Sequence, residues 1–184
     1  HQTLASATSE LKKTYTSFEA SYPLMLTYLP TLMNVGPNGA RFRDEAATMT
    51  AVAAANTSAF NGAYHYVIVS KTQLDALTSE GMNGVKAPAL PGMPPEFYFD
   101  FAAQFTLDTP WVGAESVFES MVANGDGFKG ETIAELAKNA GMDVELFEEA
   151  YAQYTKATQT GVDTAFGKAA PFLLPMGETG PYYA

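Results

Sequence analysis

The sequence holds 184 residues, 47% apolar, 12% aromatic and 16% charged, which is enough to bury a single core of ordinary size. Twenty acidic residues against ten basic ones leave a formal charge of −10, and the two arginines, Arg41 and Arg43, stand close together, so the clustered cations of a nucleic-acid partner are lacking. The absence of cysteine removes disulfides, thiolate metal sites and cysteine nucleophiles, and two histidines, His1 and His65, are too few for a His-rich metal site.

In chain order, the opening residues HQTLASATSELKKTYT carry neither an initiating Met nor an apolar h-region. The closing GPYYA ends without a polar tail. The chain is therefore expected to be cut from a longer one, and its compartment stays open. No window approaches the ~18 uninterrupted apolar residues of a membrane helix, so no membrane span is expected. Leu32 to Val35, the turn Gly36-Pro37-Asn38-Gly39 and Ala40-Arg41-Phe42 together read as a β-hairpin. Asp44 then caps a predicted helix from Glu45 to Ser58, with acidic residues at the positive end of its dipole. Tyr64 to Val69, aromatic and β-branched, predicts a strand buried on both faces or nearly so.

The stretch from Gly81 to Pro110 is interrupted by Gly and Pro and predicts a loop-rich insert, with at most a short element over Glu96 to Phe101. Its aromatics argue against disorder and for packing on the core or on a partner. A helix is expected from about Ala114 to Ala123, with Val117, Phe118 and Met121 on one side. Thr132-Ile133-Ala134-Glu135 is a capping box in which the Thr hydroxyl and the Glu carboxylate each take a backbone amide of the other. Ile133, Leu136, Ala137 and Ala140 follow at helical spacing, and Gly141 ends that helix. Asp143 caps a second helix with Phe147, Ala150, Tyr151 and Tyr154 inward, ending near Gly161, so the two form an αα-hairpin. The fold class is α+β: a small mixed domain of short strands, a hairpin and several amphipathic helices.

Motifs for chemistry are sparse. Gly125 to Gly130 spells G-x-G-x-x-G, yet helix precedes it where a dinucleotide site needs a strand, so a flexible helix-to-helix loop is the better reading. Phosphate-loop, nucleophile-elbow and zincin motifs are absent. His65 could serve as a base or as a hydrogen-bonded core residue, and no carboxylate or nucleophile stands at a readable spacing to decide for catalysis. Glu145, Glu148 and Glu149 read as the wet face of a helix.

Two stretches nevertheless resemble a known family. Asn34 followed by Gly39-x-Arg41-Phe42-x-x-Glu45 is similar to the N-x-x-G-x-R-F-x-x-E segment of soluble fumarate reductases and succinate dehydrogenase flavoprotein subunits, with one extra residue before the Gly. Phe128-Lys129-Gly130-Glu131-Thr132-Ile133-Ala134-Glu135-Leu136-Ala137, then Gly141-Met142-Asp143, Tyr151-x-x-Tyr154 and Gly161-x-Asp163-x-x-Phe166-Gly167-Lys168, resemble that family's K-A-D-T-I-E-E-L-A, G-I-D, R-Y-N and G-x-D-x-x-F-G-K series. Pro181-Tyr182-Tyr183-Ala184 resembles its P-F-Y-A return.

In that family a smaller α+β domain caps the FAD-binding domain and helps enclose the substrate. The resemblance implies that residues 1–184 are that capping domain alone. Its FAD and FAD-binding domain would lie elsewhere in the parent chain, and no cofactor or metal would bind the isolated chain. The family's proton-donating arginine falls at Met49, a thioether that cannot donate a proton. Its T-E-x-x-R segment is also missing, since Pro23 to Thr31 holds neither Glu nor Arg. The resemblance therefore implies a flavin-dependent oxidoreductase acting on a small molecule other than fumarate, one less anionic or bulkier. Met49, Tyr64, Tyr183 and His1 are the candidates for its cleft, His1 by the likeness of His1-Gln2-Thr3-Leu4 to H-P-T-L. Asn34, Gly39, Arg41, Phe42 and Glu45 are expected to be structural, with Arg41 pairing a carboxylate. The rival reading is a free-standing acidic interaction module using the aromatics from Glu96 to Phe105 against a protein partner.

Overall fold

The computed structural model describes Leu26, residues 29–49, Thr57, Asn61, Gly62, residues 64–85 and residues 110–184, with only the backbone at Thr48, Met49 and Met82. Among the described residues four strands build one sheet: β1 (Met33–Val35), β2 (Tyr66–Ser70), β3 (Lys129–Gly130) and β4 (Tyr182–Tyr183). Their order is β1-β2-β4-β3 and every pairing is antiparallel. Helices α1 (Lys71–Glu80), α2 (Ala114–Ala123), α3 (Ile133–Ala140) and α4 (Val144–Thr160) complete an α+β domain.

Each strand takes its partner from far along the chain. Met33 lies opposite Ile68, Val69 opposite Tyr183, and Lys129 also opposite Tyr183. Alternation along the strands then sends side chains to two cores. Met33, Val35, Ile68 and Tyr182 join Leu136 of α3 and Phe147 of α4 in one cluster. Leu32, Val69 and Tyr183 join Leu74 and Leu77 of α1 and Phe118 of α2 in the other. Each fully buried Leu or Phe contributes about 1.5–3 kcal/mol by leaving water.

The expected hairpin does not form. The turn is present, with the Gly36 amide donating to the Ala40 carbonyl at 2.9 Å, but β1 pairs with β2 and Ala40 to Phe42 is not a strand. Arg41 is drawn instead into a buried ion cluster, described below, and its neighbours follow it off the sheet. Gly39 makes this turn possible. Its φ is +90°, and a Cβ there would stand 2.9 Å from the Cβ of Phe147. The expected helix after Asp44 is a 3-10 turn over Glu45–Met49, started by the Asp44 carboxylate accepting from the Ala46 amide at 2.9 Å. Its continuation over 50–56 lies outside the described residues, as does the insert over 86–109 with its Glu96 to Phe105 aromatics.

Strand β2 starts two residues later than expected, and its first half is only partly buried. Directly after it comes α1, which the chain-order reading passes over. Ser70 ends the strand and caps the helix: its hydroxyl accepts from the Gln73 amide and the Gln73 side chain accepts from the Ser70 amide at 3.0 Å.

The αα-hairpin forms as expected, with Gly141 and Gly161 in the left-handed conformation at the two helix ends. One detail differs. Thr132 accepts from the Glu135 amide at 3.1 Å, but the Glu135 carboxylate returns to the Glu131 amide at 2.9 Å, one residue earlier than a reciprocal box requires. Gly125 to Gly130 is no free loop either. Phe128 and Ala184 exchange both backbone hydrogen bonds, at 2.9 and 3.0 Å, and Lys129–Gly130 is itself strand β3. The pairing partner is β4, more than fifty residues downstream and invisible in the local pattern.

Candidate functional site

Charged residues from both halves of the chain meet inside the domain. The Arg41 guanidinium holds Glu45 through Nε at 3.1 Å and Nη2 at 2.9 Å, and Asp163 through Nη1 at 3.1 Å and Nη2 at 3.0 Å. Its plane lies 4.7 Å from the Tyr154 ring centroid and 4.9 Å from that of Phe166. Lys168 donates to the Tyr154 hydroxyl at 2.7 Å and stands 3.3 Å from Glu45, and Tyr154 donates onward to the Thr31 carbonyl at 3.0 Å. Glu45 Oε1 also accepts from the Asn34 amide at 3.1 Å, and the Asn34 side chain accepts from Arg43 at 2.6 Å.

The side chains of Arg41, Glu45, Asp163 and Lys168 are at most 3% exposed, so each charge depends on its partners. Burial alone would lower the Arg41 pKa, but Glu45 and Asp163 outweigh it and hold the guanidinium charged. Burial likewise would raise Asp163, and the Arg41 hydrogen bonds overcome it and pull the carboxyl below its usual range. For Lys168 burial wins and brings the ammonium down to about 8 in spite of Glu45. Asp163 also closes its own loop, accepting from the amides of Ala165 and Lys168 at 3.1 and 3.2 Å.

A pocket of about 400 Å³ opens elsewhere, at the start of β2. Its walls are aromatic and aliphatic: Tyr64, Tyr66 and Phe128 on a chain of edge-to-face contacts, Phe118 and Tyr183 at 5.1 Å between ring centroids, and Met121. Tyr64 stands 51% exposed at the rim. Tyr183 is buried and donates to the Glu119 carboxylate at 2.6 Å, so it offers the pocket ring rather than hydroxyl. The polar contributors are His65 and Asp126. Burial, and then the nearby Arg43 charge, lower the His65 pKa to about 4, so its imidazole is neutral at pH 7. It lies outside the strand, with its ring 5.9 Å from that of Phe42.

Of the cleft candidates, Tyr64 and Tyr183 thus share one pocket. Met49 is the last residue of the 3-10 turn, described by backbone alone, and His1 lies outside the described residues. Asn34, Arg41 and Glu45 come together in the ion network. Gly39 packs against Phe147 at the turn, and Phe42 lies between His65 and the Arg43 guanidinium, which is 5.0 Å from its ring. Local sequence patterns give no sign that Asp163, Lys168 and Tyr154 join this network, although all three lie in the segments that carry the resemblance. Phe118 and Met121 read from the sequence only as one face of a helix. Their shared face was the one local signal for the pocket.

The described residues of this chain do not fit a dinucleotide. The pyrophosphate pattern of Gly125 to Gly130 follows α2 rather than a strand, and a Cβ on Gly130 would stand 2.2 Å from the Leu136 amide nitrogen, because β3 packs directly on α3. The helix end it leads to is already occupied by the Thr132 hydroxyl and flanked by the carboxylates of Glu131 and Glu135, which repel phosphate. Among the described residues no group of His, Asp or Glu is arranged to hold a metal.

No protein-family model matches the chain. Among solved structures, 88% of it aligns with the solution structure of a fumarate reductase flavoprotein subunit from Lactobacillus plantarum, covering 85% of that chain at 15% identity and a TM-score of 0.51. It is also similar to the open conformation of a flavocytochrome c3 fumarate reductase, at 20% identity over 86% of this chain and 21% of that one, with a TM-score of 0.48. A third similar structure is 3-ketosteroid delta1-dehydrogenase from Sterolibacterium denitrificans in complex with 1,4-androstadiene-3,17-dione, at 20% identity over 85% of this chain and 26% of that one, with a TM-score of 0.47. The chain spans about a fifth to a quarter of those two larger proteins. In fold, it is similar to the chain solved for the Lactobacillus fumarate reductase flavoprotein subunit.

Proposed function

We propose that residues 1–184 form the capping domain of a larger flavin-dependent oxidoreductase. An FAD-binding domain elsewhere in the parent chain holds the cofactor, and this domain closes over it and helps enclose a small-molecule substrate other than fumarate. Met49, Tyr64, Tyr183 and His1 are assigned to the substrate side, and the isolated chain is inactive.

One observation carries the reading. The two halves of the sequence resemblance, Gly39-x-Arg41-Phe42-x-x-Glu45 and Gly161-x-Asp163-x-x-Phe166-Gly167-Lys168, meet through Arg41 and Asp163, 122 positions apart, in a single buried network. Spurious motif matches have no reason to converge in space. The likeness of fold to a fumarate reductase flavoprotein subunit supports the same reading, as does the misfit of the described glycine-rich segment to a dinucleotide. The Met49 position and the apolar pocket support a substrate unlike a dicarboxylate.

The test is the full-length gene product. It is expected to purify with, or take up, a flavin with its visible absorbance bands, whereas the 184-residue chain titrated with FAD shows no micromolar binding. A full-length product that stays colourless after incubation with FAD, or an isolated chain that binds FAD tightly, overturns the proposal.

A further inference from the structure

We infer that the pocket at the start of β2 binds a neutral, largely apolar small molecule of about two fused rings, and excludes dicarboxylates. Calling that molecule a substrate rests on the capping-domain reading; the binding itself does not.

The size and walls come first. A volume of about 400 Å³ lies within the range of about 300–1,000 Å³ typical of small-molecule sites, which are mostly apolar with a few polar groups. Tyr64, Tyr66 and Phe128 form one aromatic wall through successive edge-to-face contacts at 5.4 and 5.9 Å, and the tilted pair Phe118 and Tyr183 supplies another. Flat ring systems stack on such faces, and Met121 adjusts to their outline.

Charge then decides the class. Among the described residues no Lys or Arg lines the pocket, the one carboxylate side chain there is that of Asp126, and His65 is neutral above a pKa of about 4. Two cations close to lining residues, Arg43 near His65 and Lys129 over the Tyr183 ring, are engaged elsewhere. Arg43 donates to Asn34 at 2.6 Å and to Thr57 at 3.2 Å, and Lys129 pairs with Glu119 at 2.8 Å and Glu131 at 3.3 Å. A dicarboxylate entering here would leave water for a site whose described lining offers a carboxylate side chain and no cation, at a cost of several kcal/mol per unpaired charge. A neutral ligand loses nothing comparable and gains the apolar contact.

The 184-residue chain, labelled for amide NMR, is titrated separately with 2-tetralone, a neutral bicyclic ketone, and with fumarate. Tetralone is expected to shift the amides of Tyr64 to Val69, Gly127, Phe128 and Tyr183 with millimolar or tighter affinity, and fumarate at equal concentration to leave them in place. Met121→Trp, which fills the pocket from α2, is expected to weaken tetralone at least tenfold while the rest of the spectrum keeps its dispersion. Val122→Phe serves the same purpose should that variant fail to fold. Fumarate shifting these amides, or tetralone leaving them unmoved, overturns the inference. A full-length product without flavin, beside intact tetralone binding, would sink the capping-domain reading and keep the pocket.

Discussion

The buried ion network and the aromatic pocket are built on opposite principles. In the network, Arg41, Glu45, Asp163 and Lys168 have fixed partners at hydrogen-bond distance and next to no exposure. In the pocket, Tyr64, His65 and Phe128 are exposed or half-buried, and their rings pack against those of Tyr66 and Phe42. The residues that make the sequence recognisable serve architecture, because only a particular charge at a particular position satisfies a buried partner. The residues that line the pocket carry no such signature, since many apolar side chains could line the same space.

Breaking the network should have the largest effect. Glu45→Ala leaves Arg41 and Lys168 as two buried cations against the single charge of Asp163. Removing one partner of a buried ion cluster typically costs about 3–5 kcal/mol, so the urea midpoint is expected to fall by a large part of the total stability. A loss below about 1 kcal/mol would mean that water reaches the cluster and the contrast with the pocket is false. Gly39→Ala strikes the turn that delivers Arg41. A φ of +90° and a Cβ 2.9 Å from that of Phe147 combine strain with overlap, and about 2 kcal/mol is expected in the same measurement.

How far each part was legible follows from the range of its interactions. Helices α3 and α4 are determined by residues within a turn of each other, Thr132 or Asp143 at the start and Gly141 or Gly161 at the end, and local reading finds them. Helix α1 carries an equally local signal in Ser70 and Gln73, which is overlooked because Ser70 also finishes a strand. The sheet is the opposite case. Strands of two and three residues hold no periodicity of their own, and Tyr182–Tyr183 becomes a strand only because β2 and β3 lie on either side of it. The failed hairpin belongs here too: the competitor for Ala40 to Phe42 was an aspartate 122 positions from Arg41. Family resemblance could place Asp163 beside Arg41 in significance, but nothing in the spacing could place it beside Arg41 in space.

On the pocket side, pH gives the next effect in size. His65 has a folded pKa of about 4, below its unfolded value of 6.5, so the unfolded chain takes up a proton first as pH falls. The stability it allows is present above 6.5 and is lost on descending from 6.5 toward 4. Discounted for partial exposure, the loss is on the order of 2 kcal/mol by the lower end. His65→Gln removes this proton uptake, so the gap between native sequence and variant should narrow as pH falls, with the shared carboxylates cancelling. Parallel urea midpoints for the two proteins across that window would show that the imidazole is freely hydrated.

The smallest effect sharpens the comparison most. Tyr64 stands 51% exposed, and among the described residues its ring contact is the edge-to-face pair with Tyr66 at 5.4 Å. Tyr64→Ala should therefore cost only about 0.5 kcal/mol of stability, near the lower end for an aromatic pair and close to what surface substitutions do. The same change strips one wall from the pocket and should weaken 2-tetralone several-fold. Stability nearly untouched with binding impaired is the behaviour of a residue kept for contact. A stability loss approaching that of Glu45→Ala would instead make Tyr64 part of the scaffold, and the division of labour between network and pocket would fail at its rim.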